Sequence, residues 1–161
     1  MSILSELDLH EAAAFWQLEL LPSDDLPEIA VSALENGCDS PSLRILAGDT
    51  KRIASTVGPL FVKALHELGI SLPEVASAQM TVASFYARKI IDGSMSPYQG
   101  ARHIWWDVQL KACSTQKESD VGKRLEIFAG LASEYEHTCR TKYEKKIIQE
   151  AKKLLSGSQT E

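Results

Sequence analysis

SLPEVASAQMTVASFYARKIIDGSMSPYQGARHIWWDVQLKAC, residues 71–113, is the stretch on which the fold class turns. Pro73 closes whatever precedes it, because a proline disfavours helical backbone in the residue before it. Between Val75 and Ile91 only Arg88 and Lys89 are charged. An apolar run of that length, without period-two alternation, predicts a largely buried central helix, the longest in the chain. It should run to Asp92 and stop at Gly93. Ser96 followed by Pro97 is a cap with proline at the first helical position, so another helix opens there and runs from Tyr98 to about Cys113.

The same punctuation continues toward the N-terminus. A first helix is expected to end at Leu20-Leu21-Pro22. Ser23, Asp24 or Asp25 caps a second, whose stripe Ile29, Ala30, Ala33 and Leu34 ends at Asn36-Gly37. Ser40-Pro41 opens a short helix over about 43–47 that stops at Gly48. Asp49 or Thr50 starts the next, which runs to Gly69 with a kink or a fresh start at Gly58-Pro59. Toward the C-terminus, a polar loop at 114–119 leads into a helix through Val121, Leu125, Phe128, Leu131 and Ala132. The last helix carries Tyr143, Ile147, Ile148, Ala151, Leu154 and Leu155. The expectation is an all-α fold, a compact single-domain bundle of seven or eight helices over residues 1–155, with 156–161 as a disordered polar tail.

A length of 161 residues, 44% hydrophobic and 24% charged, is ordinary for one soluble globular domain. Cys38, Cys113 and Cys139 are odd in number, far apart and without a CxxC pair, so they read as reduced thiols rather than a zinc ribbon or a disulfide framework. No run approaches the roughly 18 consecutive apolar residues of a membrane span. The opening residues carry acids where a signal peptide needs a basic start, and the expected location is cytoplasmic.

Two stretches, residues 26–48 (LPEIAVSALENGCDSPSLRILAG) and 96–105 (SPYQGARHIW), together resemble a set of small, uncharacterised all-helical bacterial proteins. The likeness covers about half the chain. It implies a bacterial origin and a helical fold, and it carries no catalytic motif.

Charge is laid down unevenly. Residues 1–50 hold ten acids (Glu6, Asp8, Glu11, Glu19, Asp24, Asp25, Glu28, Glu35, Asp39 and Asp49) against Arg44 alone, a net −9, while residues 51–161 sum to +4. Such an acidic segment repels nucleic acid and anionic membrane and steers basic partners toward it. The blander reading is neutralisation by the basic last helix, where Arg140, Lys142, Lys145, Lys146, Lys152 and Lys153 face Glu144 and Glu150. Those six bases lack interleaved aromatics beyond Tyr143, and no nucleic-acid partner is expected.

Chemistry-bearing constellations are few. At 100° per residue, Tyr98, Ala101, Ile104, Trp105, Val108 and Ala112 form one apolar arc, and Trp106, Leu110 and Cys113 a second beside Gln99 and Arg102. Trp105 is the core candidate. Trp106 and Leu110 either pack in the core as well or offer a second face to a partner or to another copy of the chain. Glu134 and His137 form one Glu-x-x-His unit, which di-iron bundles need twice with two further glutamates. His103 and Asp107 lie one turn apart and are the natural complement. A solvated helix face is the plain alternative for all four. Cys113 reads as a small hydrophobe on an apolar stripe. Cys139 lies two residues from His137 and so points away from it. No nucleophile elbow, Walker loop or dinucleotide fingerprint occurs.

These readings favour a non-enzymatic interaction module without cofactor or metal. Its acidic N-terminal half, centred on Glu28, Glu35 and Asp39, would dock a basic protein partner, in one version as an immunity or antitoxin-like inhibitor. The rival is a helical-bundle enzyme or a ligand- or metal-binding protein with its site near His103, Asp107, Glu134 and His137. A third reading is a homo-oligomer joined through Trp106 and Leu110.

Overall fold

Two of the polar caps that the sequence announces, Ser40 and Ser96, start helices with a side-chain bond, whereas Asp25 precedes its helix without one. The computed structural model describes residues 6–110, 120–137 and 140–157 and, for residues 109, 110, 136 and 137, the backbone alone. Eight α-helices and no strand occur among the described residues. The fold is all-α.

Contacts group the chain into two compact units, residues 1–74 and 75–161. The first unit holds α1 (Leu9–Gln17), a 3-10 turn (Ser23–Asp25), α2 (Leu26–Glu35), α3 (Pro41–Ala47) and α4 (Ala54–Glu67). Asp8 and Glu11 start α1 with a reciprocal capping box: the Glu11 amide donates to Asp8 at 2.8 Å and the Asp8 amide to Glu11 at 3.3 Å. The Ser40 hydroxyl accepts from the Leu43 amide at 3.2 Å and starts α3. Phe15, Leu26, Ile29, Leu43, Leu46, Val57, Phe61 and Leu65 are almost wholly buried and make the core of this unit.

Two boundaries differ from the sequence reading. Helix α1 stops at Gln17, because Glu19 turns left-handed at φ 55° and the Leu20 amide bonds back to the Phe15 carbonyl. Helix α4 begins at Ala54, since the Asp49 carboxylate accepts from the Lys51 and Arg52 amides and holds that segment in a turn. Of the two expectations at Gly58-Pro59 the fresh start is excluded, since Pro59 lies inside α4 without ending it. Beside it, Gly58 is close-packed: a Cβ there would stand 3.2 Å from the Trp16 indole.

The second unit holds α5 (Val75–Ile91), α6 (Pro97–His103), a π-helical segment (Ile104–Leu110), α7 (Asp120–His137) and α8 (Arg140–Gly157). Helix α5 is central to this unit, packing against α6, α7, α8 and the π segment. At 17 residues it is one shorter than α7 and α8, so it is not the longest. Ser96 caps α6 through the Gln99 amide at 3.3 Å, as its sequence announces. Ala101, Ile104, Val108, Leu125, Phe128, Ile147 and Ala151 are buried, as are Val82 and Phe85 of α5. Helix α8 extends through Gly157, two residues into the segment read as a tail. Cys113, Ala112, Cys139, the 114–119 loop and the last four residues lie outside the described residues.

Candidate functional site

The segment after His103 departs from α-helix, and α5 supplies the groups that hold it. Gln79 and Tyr86 lie seven residues apart, two turns along one face of α5. The buried Gln79 amide donates to the Val108 carbonyl at 3.3 Å, and the Tyr86 hydroxyl to the Asp107 carboxylate at 3.4 Å. Burial, reinforced by Asp107, pushes the Tyr86 hydroxyl far above the ordinary tyrosine range, so it stays a proton donor at neutral pH. His103 Nδ1 stands 2.7 Å from the same Asp107 oxygen, and its ring stacks on Tyr86 with centroids 4.9 Å apart and planes 8° from parallel. Turns of π-helix inside α-helices recur at functional sites.

The π segment and the helix before it form one wall of a cleft of about 240 Å³, with α7 opposite. Tyr98 and Arg102 come from α6, Trp105 and Trp106 from the π segment, and Ala132 and Ser133 from α7. The Tyr98 ring stacks on that of Tyr135, with centroids 4.7 Å apart. The two indoles stand perpendicular, 5.9 Å apart. Trp105 is half-buried, whereas Trp106 keeps 55% of its surface exposed. Arg102 is exposed, and no carboxylate among the described residues pairs with it.

The four residues of the rival site divide. His103 and Asp107 come together, with Tyr86 as an unforeseen third member. Glu134 instead accepts from the Tyr143 hydroxyl at 3.1 Å. The side chains of His137 and Leu110 lie outside the described residues. Among the described residues no group of three His, Cys, Asp or Glu side chains is placed to hold a metal ion. An imidazole oriented by a carboxylate is part of an acid–base device, yet the Tyr86 hydroxyl is directed at Asp107, where it serves as a second anchor for the carboxylate.

In the first unit, Glu28, Glu35 and Asp39 are all exposed. Glu28 and Glu35, seven apart, share one face of α2. Glu28 pairs with Arg52 at 3.1 Å, and Asp39 grips Arg44 through both of its oxygens, with the Nε contact at 2.6 Å. The Arg44 guanidinium holds the Asp39 carboxyl below its ordinary range, chiefly by hydrogen bonding. Glu35 has no ion pair among the described residues. A cleft of about 470 Å³ opens in this unit beside Trp16, Gln17, Glu19, Leu21 and Leu72.

No protein-family model, curated protein or solved structure matches the chain. Tyr86 and Gln79 were missed in the sequence because both sit within an apolar run; their seven-residue spacing on one helix face was the available signal. The bases of α8 are partly engaged locally: Lys142 and Lys146 lie over the Tyr143 ring, and Lys153 pairs with Glu150 at 2.7 Å. No helix of the described residues is long and apolar enough to cross a membrane.

Proposed function

We propose that the chain is a non-enzymatic protein-interaction module whose acidic first unit docks a basic protein partner. One observation carries the reading: the acidic stretch, residues 1–50, lies wholly within the first compact unit. Residues 1–74 hold twelve Asp and Glu against four Lys and Arg, a net −8, while residues 75–161 hold ten against thirteen, a net +3. Three of the four bases in the first unit are already engaged, Arg44 by Asp39, Arg52 by Glu28 and Lys63 by Glu67. The surplus is therefore carboxylate, and a field of one sign on a unit of this size speeds encounter with a basic surface. The Trp16–Glu19 cleft suits the stem and head of a lysine or arginine, which bury their methylenes and keep their charge polar. A concrete form is an immunity or antitoxin-like inhibitor that covers a toxin's basic active site.

The test is capture of partners by the tagged full chain at low and moderate salt, beside an E28K/E35K/D39K variant checked for folding by circular dichroism. The expected result is a stoichiometric basic protein that is lost with salt and with the variant. Capture that is indifferent to both salt and charge reversal would refute the reading.

A further inference from the structure

We propose that the cleft formed by α6, the π segment and α7 binds a small aromatic carboxylate, with its ring against Tyr98 and Trp106 and its carboxylate on Arg102. The inference is independent of the acidic unit's role and rests on the second unit alone. Aromatic side chains dominate the lining, and flat rings are recognised by stacked or edge-on rings. Among the described residues that line the cleft, Arg102 is the charged group, exposed and without a carboxylate partner among those residues. A guanidinium presents a planar fork that matches a carboxylate with two parallel hydrogen bonds. The Ser133 hydroxyl, on the α7 wall, adds a neutral donor.

Size and charge narrow the class. An engineered apolar cavity of about 150 Å³ holds one benzene, and pockets for drug-sized ligands start near 300 Å³. At about 240 Å³ the cleft has room for one ring with a short acidic arm. A quaternary ammonium, the usual guest of an aromatic cage, would meet the Arg102 charge. A phosphate dianion would find one guanidinium for two charges. A neutral arene would strip water from Arg102 without replacing its hydrogen bonds. A monoanionic aromatic acid satisfies all three constraints. The exposed Trp106 then has a role that an isolated surface tryptophan lacks.

The three indole N–H signals give a readout with a built-in control, since Trp16 lies in the other unit. The full chain, labelled with ¹⁵N, is titrated with phenylacetate and separately with phenethylamine and acetate. Saturable movement of the Trp105 and Trp106 signals with phenylacetate is expected, with Trp16 stationary. Phenethylamine and acetate should bind at least about tenfold more weakly, the loss of one charge-assisted contact. R102Q should lose about tenfold or more, and R102K, which keeps the charge without the fork, should fall between. Both variants are checked by circular dichroism. Unmoved Trp105 and Trp106 signals, equal movement with phenethylamine, or wild-type affinity in folded R102Q would each overturn the proposal.

Discussion

Gly100 stands where α6 meets α5 so closely that a Cβ would fall 2.3 Å from Ile90 Cγ1 and 2.5 Å from its Cδ1. Ile90 is itself buried and has little room to yield. Gly100→Ala is therefore expected to destabilise the second unit by about 1–3 kcal/mol, despite alanine's better helix propensity, as urea denaturation would measure. Glu67 is a second residue with a definite part. It accepts the Ser42 amide at 2.9 Å and the Ser42 hydroxyl at 2.7 Å, clamping α3 to α4. These bonds, the backbone one foremost, hold its carboxyl below the ordinary range. A depressed carboxylate contributes stability that is complete above its unfolded pKa and lost as pH falls through its lower folded value. Thermal midpoints measured downward from pH 6 should fall more steeply in the native chain than in Glu67→Gln. Neither role was legible in the sequence, because each depends on a partner many residues away.

Helices α2, α4 and α5 are each followed by a glycine in the left-handed region, at Gly37, Gly69 and Gly93. Helix α1 places Glu19 in the same backbone state, which costs an L residue about 1–2 kcal/mol. Glu19→Gly should raise the unfolding free energy by about 1 kcal/mol in chemical denaturation. The glycine ends were readable. The α1 end was not, because glutamate carries no stop signal and Pro22 is the plainer one. The π segment escaped the reading for a related reason. Local sequence does not distinguish i→i+4 from i→i+5 bonding; the Gln79 and Tyr86 side chains of α5 bias it. Gln79→Leu leaves the buried Val108 carbonyl without that donor, at a cost of about 1–3 kcal/mol. Reduced hydrogen-exchange protection over residues 104–110 would be its signature.

At the scale of the whole molecule, charge segregation has opposite consequences for folding and for association. Raising ionic strength from about 0.01 to about 0.15 M shortens the screening length from about 30 to about 8 Å. Repulsion within the net −8 first unit should weaken, so its thermal midpoint should rise with salt. The same salt should weaken the proposed complex with a basic partner. A midpoint that falls with added salt would show that the Glu28–Arg52 and Asp39–Arg44 pairs outweigh the repulsion.

Sequence alone determined the helical class, most helix starts and the polarity of charge. Those follow from physics confined to a few residues: a serine before a proline, a glycine after an apolar stripe, a count of carboxylates. It also separated Trp105 from Trp106, since neighbours on any helix point apart. Only the tertiary structure decided that Trp106 is the exposed one, that Arg44 and Arg52 answer Asp39 and Glu28, and that Tyr86 joins His103 and Asp107 while Glu134 turns to Tyr143. Each of these depends on which face another helix covers, and burial is a property of the packed element rather than of the residue.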